Sequence, residues 1–232
     1  MLKDYFSSLI DFKEFHDKLN KKSIGRNIII NGIDEFEIDQ SFSIVMFSVE
    51  DIKFASKNSL NYSKKIRKKL YRLSWGGWNI KILDLGFFKI GNQKSDTQFA
   101  LREIVEKLAS MQIKVVVLNL NHNLIFDFYY ALKQNNNIVN IVSVDNKIPT
   151  NSIDSSLRKI LDDENCKLGE YSNVGFQKHI NNAEEIKLFE NMMFETHSLG
   201  KVKNKIINTE PIFRNSDLVD ISIRAVKSGD IN

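Results

Sequence analysis

Hydrophobic spacing divides this chain into alternating helical and extended segments. Over the first twenty residues Tyr5, Phe6, Leu9, Phe12, Phe15 and Leu19 recur at intervals that predict an amphipathic helix packed against the domain. Ile28-Ile29-Ile30 is a short β-branched run closed by the turn signal Asn31-Gly32, and the stronger run from Phe42 to Val49 predicts a central strand. From Lys64 to Leu73, apolar Ile66, Leu70 and Leu73 recur among lysines and arginines, the pattern of an amphipathic helix whose charges face water. Trp75-Gly76-Gly77-Trp78 reads as a loop, and Ile80 to Gly86 as a strand that stops at its glycine.

Further along, Phe99, Leu101, Ile104, Val105 and Leu108 predict a helix over Asp96 to Met111, with Asp96 or Thr97 as N-cap. Lys114 to Leu118 is apolar, β-branched and too short for a helix, as expected of a parallel strand covered on both faces. A helix from Ile125 to Gln134 and a strand from Ile138 to Val144 follow. Beyond them the pattern gives a helix from Asn182 to Leu199, a strand near Lys205 to Asn208 and a last run from Leu218 to Val226. Alternating strands and helices at this spacing imply right-handed crossovers and a mainly parallel sheet in a three-layer α/β/α arrangement. No repeat or linker interrupts it, so the reading is one domain over residues 1–232.

Composition narrows the class. With 42% hydrophobic residues in 232, the chain can bury an ordinary core, and only two prolines break it. No apolar run is long enough to span a bilayer and no secretory leader is visible, so a cytoplasmic protein is expected. The single cysteine, Cys166, excludes an intrachain disulfide and reads as an inert thiol. Net charge is +4, much of it from the Lys64 to Lys69 run. One basic helix without interleaved exposed aromatics is a poor footprint for nucleic acid. His16, His179 and His197 stand alone and read as surface or interface residues, and Asp162-Asp163-Glu164 as a solvated acidic loop.

Chemistry in an open α/β sheet collects at the carboxyl ends of strands. Three segments therefore matter: Leu118 to Asn123, Val144 to Pro149 and Asp220 to Val226. At this point the order of segments resembles the ureohydrolase superfamily, in particular its formimidoylglutamase-like branch. Lys64 to Leu73 resembles the helix before the family's second strand, and Ile82-Leu83-Asp84-Leu85-Gly86 resembles its "I-A-D-L-G" strand end. Phe99 to Val105 resembles its next helix. Tyr171 to Gln177 and Phe194 to Gly200 resemble "S-N-I-G-Y-Q" and "F-x-A-x-R-L-G".

That resemblance implies an arginase-like fold and a linear-amidine hydrolase ancestry, with two manganese ions held by oxygen and imidazole ligands around an activated water. The motif G-G-G-H-D falls on Asn119 to Asn123, making His122 the imidazole ligand, but the glycines are gone. D-A-H-x-D falls on Asp145 to Pro149, keeping Asp145 and putting Lys147 in place of an imidazole. D-x-D-x-x-D falls on Ser222 to Lys227, with Arg224 inside it, and a two-residue slip recovers Asp220. His122, Asp145 and Asp220 are thus a vestigial metal set, insufficient to offset about four positive charges. His122 also reads as a hydrogen-bonded histidine, and Asp145 as a turn residue. No catalytic residue is assigned.

The family would continue beyond Asn232, so the fold is expected to be incomplete at its C-terminus, needing a homo-oligomer or a separately encoded C-terminal half. The expectation is a degenerate ureohydrolase without catalysis and without a cofactor, acting as a structural or interaction module. The alternatives are a manganese-dependent C–N hydrolase of formimidoylglutamate, arginine or agmatine, and a module that binds anions or nucleic acid through Lys147, Arg224 and the Lys64 to Lys69 helix.

Overall fold

The β-branched runs of the sequence pair mostly as parallel strands, in a computed structural model that describes residues 2–49, 57–119, 124–148 and 155–226. Contacts divide the chain into two units, residues 1–121 and 122–232.

The first unit contains β1 (Phe6–Ser7), α1 (Lys13–Asp17), β2 (Ile29–Ile30), β3 (Ile44–Val49), α2 (Lys57–Arg72), β4 (Ile82–Phe88), α3 (Lys94–Ser110) and β5 (Lys114–Asn119). Its sheet runs β1-β4-β3-β5, with β2 also on β4. The run at 42–49 is central as expected, since β3 lies parallel between β4 and β5. Val45, Phe47, Leu83 and Leu85 are fully buried.

Several expectations are corrected here. The first twenty residues do not form one helix: tight turns, the two-residue β1 and the short α1 bury Phe6, Leu9 and Phe12 instead. Ser7 and Ser8 are weak helix formers, and Phe6 and Ser7 find antiparallel partners in Phe88 and Phe87. The inward face of α2 is also not the predicted one. Ile66 and Leu73 are 43% and 57% exposed, whereas Ser63, Arg67 and Tyr71, spaced four apart, point inward.

What draws Arg67 inside is Asp84. Both side chains are wholly buried, and Arg67 Nε and Nη2 donate to the carboxylate at 2.8 and 3.1 Å. Tyr71 Oη and the Gly86 N–H add bonds of 2.7 and 2.8 Å to it. Arg67 also donates to Ser48 Oγ and the Gly86 carbonyl. A buried carboxylate with four donors and a guanidinium with three acceptors meets the condition under which burying charge is tolerable.

β4 passes through Gly86 rather than stopping there. Pairing with β3 steps from Met46/Asp84 to Ser48/Phe87, a bulge with one extra residue on β4. Gly86 has φ +89°, and a Cβ there would lie 2.3 Å from the Ser7 carbonyl oxygen, so only glycine fits. The N-cap of α3 is Gln93, while Asp96 closes a capping box from the third helical position. β5 is parallel as expected but is not covered on both faces, because Val116 is 44% exposed.

The second unit contains α4 (Ile125–Asn135), β6 (Val139–Val144), α5 (Ser156–Leu161), β7 (Leu168–Phe176), α6 (Ala183–Asn191), β8 (Glu195–Ser198), α7 (Leu199–Asn204), α8 (Glu210–Arg214) and β9 (Leu218–Ile221). Its strands are all parallel, in the order β8-β7-β6-β9. Tyr129, Ile141, Ile160, Tyr171 and Phe189 form the core, with Phe194 stacked edge-on against Phe189 at 5.1 Å.

The helix expected from Asn182 to Leu199 ends at Asn191. Met193 takes φ 57°, and bonds from Phe194 N–H to the Phe189 carbonyl and from Met193 N–H to the Glu190 carbonyl complete a Schellman stop without glycine. β8 then begins. Lys205 to Asn208 is not a strand: α7 and a 3₁₀ turn occupy the region, leaving Ile206 and Ile207 largely exposed. β9 covers the first part of the 218–226 run, and a 3₁₀ turn at Ile223–Ala225 follows. Two smaller readings also change: His16 is buried beside Arg26, and Asp163 of the acidic loop pairs with Lys133.

Candidate functional site

The carboxyl ends of β6 and β9 bring the second unit's polar residues together. In parallel strands, register partners project to the same face, so the pairs Asp220/Ser143, Ser143/Asn173 and Asn173/Thr196 form one row across the sheet. One layer below is Tyr171, whose phenol burial holds above its ordinary value, with the Ser143 hydroxyl beside it and Asp220 and Asp145 close enough to raise it further. One layer above, just past the strand ends, are Asp145 and Ser222.

Asp145 is the centre of this cluster. Its Oδ1 accepts the Lys147 N–H at 3.3 Å, a local turn bond, and its Oδ2 accepts from Arg224 Nη2 at 2.5 Å. The carboxylate side chain is 7% exposed and the guanidinium 50%. Ser222, fully buried, turns its Oγ toward Arg224 and accepts from that residue's N–H and Nε at 3.2 and 3.4 Å. The serine thereby starts the 3₁₀ turn and aims the guanidinium at Asp145.

The loop after β6 is pinned from the β7 side. Asn173 donates to the Lys147 carbonyl, Asn181 to the Asn146 carbonyl, and Ile148 N–H to Asn181 Oδ1, at 3.2, 3.0 and 2.8 Å. Of the three residues expected as a vestigial metal set, Asp145 and Asp220 share this strand-end region, while His122 lies outside the described residues. Among the described residues no three His, Cys, Asp or Glu side chains converge as metal ligands would.

By structure, the chain aligns with a variant of Trypanosoma cruzi formiminoglutamase with Mn2+ at a TM-score of 0.68 and 15% identity, over 84% of this chain and 74% of that one. Formimidoylglutamase from Bacillus subtilis gives 0.58 and 14%, over 83% and 73%. The chain has the ureohydrolase fold. A quadruple mutant of the T. brucei arginase-like protein shares that fold at 0.54 and 12%, over 71% and 59%. By sequence, neither a family model nor a curated protein matches.

Among the described residues, the ureohydrolase strand ends offer a poor donor set for two manganese ions. The donor set offers Asp145 already neutralised by Arg224, Asp220 one layer lower, a serine, and the neutral amide oxygens of Asn146 and Asn173, buried without a donor. At about 5 Å and an effective dielectric of about 20, a dication and a guanidinium repel by roughly 7 kcal/mol. Neutral amide oxygens add no charge to offset that.

What sequence reading missed is the pairing itself. Asp145 and Arg224 are each visible at motif positions, yet nothing local shows that they meet. Ser143 under the cluster carried no signal beyond its strand alternation, and Tyr171 was visible only as the start of the Tyr171 to Gln177 segment.

Proposed function

We propose that this chain is a ureohydrolase-fold protein without manganese-dependent amidine hydrolysis, working as a structural or interaction module. The observation that supports the reading most is the Asp145–Arg224 pair. A guanidinium at the carboxylate supplies one positive charge with no open coordination position, so no water is activated for attack on a carbon–nitrogen bond.

The partner of such a module would be a second copy or a separately encoded C-terminal half. β9 supports this, as the outermost strand of its sheet among the described residues, with Val219 and Ile221 exposed on one side. No helix among the described residues is long and apolar enough to cross a membrane.

The test is to incubate the purified chain with manganese, desalt it, measure bound metal, and assay formimidoylglutamate, arginine and agmatine for product release. Substoichiometric metal and background turnover are expected. Stoichiometric manganese together with turnover abolished by a chelator would defeat the proposal.

A further inference from the structure

A concave feature lies at the carboxyl ends of β7 and β8, and neither Asp145 nor Arg224 lines it. It is a shallow, open depression of about 350 Å3. Phe176, Lys178 and His179 line it on one side, and Ser198, Gly200 and Lys203 on the other.

The backbone explains why these residues converge. β7 pairs with β8 through Val174/His197 and then Phe176/Ser198, leaving Gly175 as an extra residue at φ +95°. That bulge reverses the alternation, so Phe176 joins the core cluster of Tyr171 and forms an apolar floor. The turn carrying Lys178 and His179 is fixed by Asn181, whose Nδ2 reaches the Gln177 and Asn146 carbonyls at 2.7 and 3.0 Å. Across the cavity, Ser198 Oγ accepts the Lys201 N–H at 3.4 Å and starts the helix that carries Lys203. A Cβ on Gly200 would meet nothing within 4 Å, so this wall is open.

The charges here are uncompensated. Among the described residues, Lys178, His179 and Lys203 have no carboxylate within ion-pairing distance. Two lysines line one depression, and an oxyanion held by both would gain charge-assisted hydrogen bonds. Strand carboxyl ends are also where open α/β sheets collect ligands.

We propose that this cavity binds a small phosphate monoester, its phosphoryl oxygens between Lys178 and Lys203 and its organic part against Phe176 and Leu199. Two lysines match a dianion better than a lone carboxylate. A nucleic-acid strand needs a longer groove that tracks its backbone, whereas eight residues line this depression.

The experiment is a nuclear magnetic resonance titration of the full chain with inorganic phosphate and with phenyl phosphate. Saturable binding is expected, tighter for phenyl phosphate. Lys178→Gln and Lys203→Gln should each weaken it about tenfold, as loss of one charge-assisted contact predicts. The exposed Lys187→Gln serves as control and should leave it unchanged. All three are surface substitutions that leave the core intact. Absence of saturation, or equal affinity in the Lys178→Gln/Lys203→Gln double variant, overturns the proposal. So does salt-sensitive binding of a single-stranded oligonucleotide that phosphate and phenyl phosphate fail to displace. This result is independent of the manganese test, which reads a different pair of strand ends.

Discussion

Asp145 and Arg224, 79 residues apart in sequence, meet at 2.5 Å at the ends of two neighbouring parallel strands, the carboxylate buried and the guanidinium half in water. Arg224→Met leaves the carboxylate buried without its cation and should destabilise the chain by about 1–2 kcal/mol, discounted for the arginine's exposure. Asp145→Asn should cost less. If urea unfolding of the two single variants and the double gives simple additivity, within about 0.3 kcal/mol, the pair has no energetic content.

A larger loss is expected at Arg67. Arg67→Met strands Asp84 in a fully buried site, and removing one partner of such a pair costs about 3–5 kcal/mol. The urea midpoint should fall sharply, by more than for Arg224→Met. A shift within that of an exposed lysine variant would refute this account of the first unit.

At Met193 the direction reverses. The residue sits in the left-handed region at φ 57° with its side chain 90% exposed, so it bears conformational strain and makes little contact. Met193→Gly should stabilise by about 1 kcal/mol. Thermal unfolding reads this as a higher midpoint, and a lower one would contradict the Schellman assignment.

Alkaline stability follows from three buried phenols. Burial raises Tyr129 to about 12, and burial first, with nearby carboxylates second, raises Tyr71 and Tyr171. A raised folded value means the folded chain keeps protons that the unfolded chain releases near its ordinary value of about 10. This contribution is complete below about pH 10; the Tyr129 share is lost as pH rises through about 12, and the Tyr71 and Tyr171 shares go on falling at higher pH. Unfolding midpoints that stay flat across that window would argue against it.

Much of this fold is legible in the sequence because period alone decides it. The runs at 42–49, 114–118 and 138–144 are β-branched and bounded by polar turns, and each is a parallel strand. Failures cluster where a distant partner overrides local pattern. Arg67 reads as a solvated charge until Asp84, 17 residues away, is placed beside it. α6 ends on a methionine rather than a glycine, so the usual stop signal is missing. Tyr5 to Leu19 satisfies a helical template, yet pairing with β4 and a string of tight turns bury the same side chains. At the candidate site, motif position picked out Asp145 and Arg224 singly, but electrostatic cancellation between them is a property of tertiary structure.

The short strands at Phe6–Ser7 and Ile29–Ile30 occupy different stretches of one border of β4, at Phe87–Phe88 and at Leu83–Asp84. Together they act as a hem: backbone groups that would otherwise template the addition of foreign chains are already engaged. Trimming the first few residues would unpick half of that hem and turn a soluble border into a seed for aggregation.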